Sequence, residues 1–193
     1  MVSISDKSLI KFELVQDADL HSLHEVSTLA YFQAYFGSYT YNDLKPYLED
    51  FFSEETLKKE IAKQDQDYFL VKKSDRAIGF AQVRRFILIE DSIRKRSDNS
   101  AELFKLYLLQ KYTGKGIGTK FMQMMSEHYQ SRGFQNFYST VWSLSPRALR
   151  FYKRQGFDVI GEIDYDYAGK NNIDYVLKKN LILSSDLMPS GYK

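Results

Sequence analysis

Hydrophobic and polar positions follow strand-like or helix-like periods along most of the chain. Alternation over Leu9–Val15 predicts a first strand. The segment Asp17–Phe36 predicts an amphipathic helix with its first residue as the N-cap. A second helix is predicted over about Asn42–Phe52. Ser53–Lys63 predicts a third, because two glutamates in its first turn favour the positive end of a helix.

The middle of the chain reads as strands that lead into a longer helix. Tyr68–Lys72 and Ala77–Leu88 predict a hairpin that turns at Ser74 and Asp75. The polar segment Glu90–Ser100 predicts a loop. A strand over Ala101–Leu108 is then followed by a glycine-rich turn and a helix over Gly116–Arg132, which Gly133 ends.

The last third repeats this order of strand and helix. Phe137–Val141 is a predicted strand, and Ser145 is the expected N-cap of a helix that starts at Pro146 and ends at Gly156. Asp158–Asp166 and Ile173–Asn180 predict a final hairpin. The order of elements implies an α/β (α+β) fold, in which a mixed sheet has helices on both faces. We expect one domain over residues 1–183 and a tail over 184–193.

Composition and charge remove several classes of function. The chain has 193 residues, 44% hydrophobic residues and a net charge of +2, so bulk charge favours neither nucleic acid nor an anionic membrane. No apolar run is long enough to span a bilayer, and the first residues lack a secretory pattern. We therefore expect a cytoplasmic protein with no nucleic-acid or membrane partner. The sequence leaves open whether the chain forms a homodimer.

The chain contains no cysteine and three histidines. Without cysteine there is no disulfide, no thiolate metal site and no cysteine to carry an acyl group. His21 and His24 share a helix face, but a solvent-facing pair is the simpler interpretation. We expect no metal.

A glycine-rich turn between a strand and a helix is the strongest local signal. Glycines let successive backbone N–H groups converge on an anion, and the helix N-terminus adds partial positive charge. This predicts a phosphate or pyrophosphate site, although a tight helix start alone would give the same pattern. Neither the P-loop nor the dinucleotide fingerprint fits. The predicted contact residues of this turn are Thr113, Gly114, Lys115, Gly116, Ile117, Gly118 and Thr119.

Two motifs in this order resemble the GNAT superfamily of N-acetyltransferases. Thr113–Gly118 corresponds to the phosphate loop [RQ]-x-x-G-x-[GA], with threonine in place of arginine or glutamine, and Ala148–Phe157 matches A-x-x-F-Y-x-x-x-G-F. Ala30–Ile61 and Asp174–Lys179 also resemble bacterial PaiA-type polyamine N-acetyltransferases. The resemblance implies a GNAT fold with about seven mostly antiparallel strands and acetyl-CoA as cosubstrate. It also implies that the strand residues Leu106, Tyr107 and Leu108 contact the pantetheine of the cofactor through their backbone, and that Ser145 is a further cofactor contact.

The resemblance also implies that an amine attacks the thioester directly in a ternary complex. It places the backbone amide of Leu108 at the developing oxyanion and Tyr152 at the departing thiolate, as its acid or as a packing residue that hydrogen-bonds the sulfur. A charged amine must lose a proton first. Glu102 is the candidate base, since it shares a strand face with Phe104, where some relatives carry the glutamate. A surface glutamate is the alternative.

The acceptor is predicted to be a small amine, with a polyamine compatible. Aromatic residues over 31–52 suit ammonium groups and methylene chains, although helical spacing favours core packing. Glu162, Asp164 and Asp166 share a strand face that either binds a cation or is solvated. A protein or peptide N-acetyltransferase and a non-catalytic acyl-CoA-binding module remain alternatives. Basic residues near Arg94–Arg96 indicate a solvated loop rather than a nucleic-acid contact.

Overall fold

The fold is a seven-stranded sheet with five α-helices, seen in a computed structural model that describes residues 10–85 and 99–181. The strand order is β1-β2-β3-β4-β5-β7-β6, and β4 and β5 are a parallel pair in a mostly antiparallel sheet. The strands are β1 Ile10–Leu14, β2 Gln66–Lys73, β3 Arg76–Arg84, β4 Ser100–Leu108, β5 Asn136–Trp142, β6 Asp158–Tyr167 and β7 Lys170–Asn180. The helices are α1 Leu20–Tyr35, α2 Tyr41–Phe52, α3 Glu54–Ile61, α4 Ile117–Gln130 and α5 Pro146–Arg154.

The predicted fold class and element order are therefore confirmed, with small shifts at the ends. The hairpin turn after β2 has Ser74 in the left-handed region at φ 54°. Ser53 caps α3 by accepting a hydrogen bond from the Thr56 backbone amide at 3.3 Å. None of the described helices is long and apolar enough to cross a membrane. The strand residue Leu9, the end of the second hairpin strand, the loop with Arg94–Arg96 and the tail 184–193 lie outside the described residues.

The predicted N-cap of the first helix is wrong. A short 3-10 turn covers Asp17–Asp19 and is capped by Gln16, so that α1 starts at Leu20. The Asp19 carboxylate accepts from the Gln16 backbone amide at 3.0 Å and from Lys72 Nζ at 2.8 Å. Asp19, not Asp17, is therefore the acidic residue that fixes the entry to this helix.

The chain forms two compact units, and the N-terminal unit comprises residues up to Arg84 together with Phe104–Phe121. Its helices meet the sheet through an aromatic cluster in which Tyr31 stacks on Tyr47 with centroids 4.4 Å apart, and Tyr47 stacks on Phe51 at 4.3 Å. Tyr31, Tyr39 and Phe52 are buried, whereas Phe36, Tyr41 and Phe51 remain exposed, so core packing accounts for only part of the aromatic residues over 31–52.

The same unit buries a lysine among these rings. Lys105 is 5% exposed, and its Nζ donates to Gln82 Oε1 at 2.9 Å and lies 4.3 Å from the centre of the Phe104 ring. Gln82 donates to Gln66 at 2.9 Å, and Gln66 donates to Glu60 at 2.8 Å. This chain of hydrogen bonds links the buried ammonium to a carboxylate, and the cation–π contact shows that one aromatic face is already used by a cation of the protein itself.

The C-terminal unit comprises residues 85–103 and those after Phe121. The first residues of β4 pair in parallel with β5, from Ser100 opposite Asn136 to Glu102 opposite Tyr138. Strand β7 pairs antiparallel with both β5 and β6. Helix α4 covers one face of β5, where Tyr129 meets Phe137 with ring centroids 5.3 Å apart.

A glycine in the N-terminal unit permits the close approach of two strands. A Cβ at Gly79 would lie 2.3 Å from Leu108 Cδ2 and 2.6 Å from the Tyr107 carbonyl oxygen. The backbone oxygen cannot rotate away as a side chain can. Gly79 in β3 therefore fixes where the end of β4 lies.

We expect Gly79→Ala to displace Leu108 and destabilise the fold by about 1–3 kcal/mol, the usual cost of overpacking. Urea unfolding monitored by circular dichroism measures this effect. A variant as stable as the wild type would contradict the close approach of β3 and β4.

Candidate functional site

The glycine-rich turn has the backbone shape that the anion-site prediction requires. Gly114 and Gly116 both lie in the left-handed region, at φ 73° and 78°. Helix α4 starts directly after them, and Lys120 N donates to Gly116 O at 3.2 Å. The backbone amides of the residues just before Lys120 lie in the first turn of the helix, where N–H groups have no acceptor inside the helix. They stand at the positive end of the helix dipole.

The side chains around this turn add little to the backbone cradle. Thr113, at the position where the GNAT pattern has arginine or glutamine, donates from Oγ1 to Gln110 O at 2.8 Å. Lys115 is exposed and its Nζ lies 5.9 Å from the centre of the Tyr112 ring, while Lys111 Nζ lies 5.1 Å from the same centre. An anion here meets peptide groups first and mobile surface lysines second.

The end of β4 is held in the N-terminal unit by tyrosines and by β3. Tyr107 shares a hydrogen bond with Tyr35, with 3.1 Å between the hydroxyl oxygens, and burial is the main cause that raises the pKa of Tyr107 far above its usual value. Leu109 N donates to Ile78 O at 2.9 Å. These contacts hold the segment Leu106–Leu108, whose backbone is the predicted pantetheine contact.

In the C-terminal unit, Tyr152 of α5 is 8% exposed and hydrogen-bonds Ser139 of β5. Ser139 Oγ donates its proton to Leu103 O at 2.8 Å. Burial raises the pKa of Tyr152, and the hydrogen bond with Ser139 opposes that shift. The phenol is therefore protonated at neutral pH.

Glu102 is buried, at 4% exposure, so the surface-glutamate alternative is wrong. Its partner across the parallel pair is Tyr138. Residues opposite each other share a face, and the face alternates along a strand. Glu102 thus lies on the face of Tyr138, whereas Ser139 and its partner Tyr152 belong to the other face of β5.

Ser145 stands at the N-cap position of α5, as predicted, but its side chain makes no capping hydrogen bond. Its backbone amide donates a hydrogen bond to Trp142 O at 2.9 Å and so stabilises the turn that precedes α5. The prediction that Ser145 contacts the cofactor stays a prediction. The N-terminal unit holds Leu106–Leu108 and the loop Thr113–Thr119, and the C-terminal unit holds Glu102, Ser145 and Tyr152.

The sequence drew attention to acids that the structure leaves in solvent. Glu162, Asp164 and Asp166 alternate on an exposed face of β6, as the solvated alternative required. Asp166 also accepts from Gly169 N at 3.2 Å in the hairpin turn. These three carboxylates are therefore exposed to solvent.

Sequence reasoning did not single out Asp174 as a functional acid. It lies on β7, opposite Trp142 of β5 and Ile163 of β6. Thr140 and Tyr165 donate hydrogen bonds to its side chain, while Asp174 Oδ1 is buried without a hydrogen-bond partner among the described residues. Burial raises its pKa to about 6, and the two hydrogen bonds act against the shift. Its signal in the sequence was a lone acid between Ile173 and Val176 in an otherwise strand-like run.

The raised pKa makes a prediction about stability. The native state holds the Asp174 proton more tightly than the unfolded state, so Asp174 favours folding at acid pH and this contribution is lost as pH rises from about 4 through about 6. Relative to Asp174→Asn, the wild type should lose about 1–2 kcal/mol of unfolding free energy between pH 4 and 7.5, after allowance for solvent screening.

Urea unfolding at several pH values measures this difference. Asp164→Asn removes an acid from the solvated face of the same hairpin and is the matched control. Its curve should run parallel to that of the wild type. An equally parallel curve for Asp174→Asn would show that Asp174 is not a destabilising buried charge.

A model of the acetyltransferase (GNAT) family matches residues 29–157 of this chain. Uncharacterised N-acetyltransferases of Mycobacterium bovis and Mycobacterium tuberculosis are 31% identical over 85 residues, which is 44% of this chain. The match spans about half, 54%, of the length of these relatives.

Solved structures give the same fold at low identity. The PaiA N-acetyltransferase of Thermoplasma acidophilum, solved with coenzyme A, has a TM-score of 0.72 at 23% identity and covers 89% of this chain and 98% of its own. The ribosomal-protein-S18-alanine N-acetyltransferase of Escherichia coli has a TM-score of 0.67 at 13% identity, with 95% and 99% covered. Spermidine N-acetyltransferase of Vibrio cholerae, solved with CoA and spermine, has a TM-score of 0.65 at 16% identity, with 90% and 96% covered. The family match covers more than half of the chain, and the chain belongs to the GNAT acetyltransferase family.

Proposed function

We propose that this chain transfers the acetyl group of acetyl-CoA to the primary amine of a small molecule. The observation that carries the proposal is the turn before α4, where two left-handed glycines lead into a helix N-terminus. Such a backbone suits a diphosphate, which carries the charge that convergent N–H groups and the helix dipole favour. Membership of the GNAT family makes coenzyme A the fitting diphosphate compound.

The reaction is a direct attack of the amine on the thioester carbonyl. The new C–N bond forms, the C–S bond breaks and coenzyme A leaves as a thiolate. The backbone amide of Leu108 donates to the oxyanion. Removal of one such donor typically costs about 2.7–4 kcal/mol of barrier. The close approach of β4 to β3, which the missing Cβ of Gly79 permits, fixes the place of this amide.

Tyr152 supplies the proton or the hydrogen bond that the leaving thiolate needs. A phenol whose pKa burial has raised is a weaker acid than a thiol, whose ordinary pKa is about 8.5. Tyr152 therefore donates a hydrogen bond to the sulfur and passes its proton only as negative charge develops there. Ser139 orients the hydroxyl until the sulfur arrives.

Glu102 is our candidate for removing the proton from the amine. It is buried and pairs with Tyr138 across the parallel strands, so the carboxylate is shielded from bulk water.

An assay of free-CoA release with a panel of polyamines, aminoglycosides, amino acids and peptides tests which class of amine is acetylated. We expect turnover with a small primary amine, and Tyr152→Phe should lower kcat by about 10²-fold. Tyr129→Phe, at another buried tyrosine, is the control for loss of a hydroxyl. Faster turnover of peptides would favour the protein-acetyltransferase alternative, and no turnover of any amine would contradict the proposal.

The role of the turn Thr113–Thr119 in diphosphate binding is tested with two substitutions at Gly116 whose side chains have nearly the same shape. A Cβ at Gly116 meets no atom within 4 Å, and both aspartate and asparagine tolerate the left-handed region. We expect Gly116→Asp to weaken acetyl-CoA binding at least about 10-fold more than Gly116→Asn, because only the former puts a negative charge beside the diphosphate. Isothermal titration calorimetry measures both affinities, and equal values would reject the loop as the diphosphate site.

A further inference from the structure

We propose that the Asp174 carboxylate binds the ammonium group of the acceptor and so positions the amine for attack. This inference rests on the proposed acetyl transfer and adds the residue that recognises the substrate's charge. It uses a side chain that none of the catalytic steps above employs.

The placement of Asp174 gives it a defined set of neighbours. Its partner across the β5–β7 pair is Trp142, and its partner across the β6–β7 pair is Ile163. Thr140 and Tyr165, which hydrogen-bond its side chain, lie two residues from these partners and hence on the same face. The carboxylate thus sits in an aromatic and aliphatic setting near the C-terminal end of β5.

The hydrogen bonds leave Asp174 incompletely satisfied. Oδ1 is buried and has no hydrogen-bond partner, and Asp174 forms no ion pair within residues 10–85 and 99–181. A buried polar atom without a partner costs free energy, and more so when it is charged. Asp174 as a residue is only half-buried, so an external donor that reaches the carboxylate can supply the missing hydrogen-bond partner.

An ammonium group is the donor that fits this setting. It supplies a positive charge and several N–H donors, which form stronger hydrogen bonds to a carboxylate than neutral donors do. Aromatic neighbours such as Trp142 and Tyr165 also favour a cation over an anion or a neutral polar group. The exposed acids of β6 offer no such setting because water screens them.

The position of Asp174 agrees with the roles proposed for the other groups. It lies on the sheet face of Tyr138, Thr140 and Trp142, where Glu102 also points, and Tyr152 reaches the other face through Ser139. One face of this unit thus carries an acid that binds a cation and an acid that accepts a proton. The other face carries the donor for the leaving group.

The test compares steady-state kinetics of the full chain, with the best amine of the panel and with acetyl-CoA varied in turn. Asp174→Asn should raise the KM for the amine about 10- to 100-fold, the range for a hydrogen bond to a charged group. Its kcat should stay within about three-fold, and its KM for acetyl-CoA should not change. Titration of the amine onto the CoA-saturated protein should show the same loss of affinity without turnover.

Asp164→Asn is the matched control, since it removes an equal charge from the solvated face of the same hairpin. Its amine KM should stay within about two-fold of the wild type, as expected for a screened surface charge. If Asp174→Asn behaves like this control, or lowers kcat without changing KM, the inference is overturned while acetyl transfer stands. A wild type that acetylates no amine overturns both.

Discussion

The backbone between Gly114 and Ile117 is the constraint on which the rest of the account depends. Two residues in the left-handed region turn the chain so that α4 begins directly after them. Other side chains reach that conformation only at a cost, and a Cβ would also narrow the approach to the peptide groups. In the proposed site the diphosphate is therefore bound by the main chain, which is compatible with threonine where the family pattern has a longer polar side chain.

Lys105 and Asp174 differ in how the residues that the structure describes balance their charges. Lys105 is embedded among aromatic rings and linked through two glutamines to Glu60, so its charge is balanced inside the N-terminal unit. Asp174 has hydrogen bonds but no balancing cation within the described residues. Perturbed and incompletely paired groups of this kind are typical of functional sites rather than of folding determinants.

Sequence periodicity predicted the order of the elements because the spacing of apolar residues and the positions of glycines are local signals, which do not depend on how the elements pack. It located the turn between β4 and α4 for the same reason, since the glycines act locally, while the binding of a phosphate there stays a prediction. It failed at Asp17, where Gln16 and Lys72 decided which acid holds the helix entry. It also favoured Glu162, Asp164 and Asp166 over Asp174, because only the pairing of β7 with β5 and β6 determines which carboxylate is buried.

Crystallisation of the protein with coenzyme A measures the central claim most directly. The account predicts diphosphate oxygens within hydrogen-bonding distance, about 2.7–3.2 Å, of backbone nitrogens at the start of α4, between Gly114 and Thr119. A diphosphate bound by side chains elsewhere, with this turn in contact with solvent only, would contradict it.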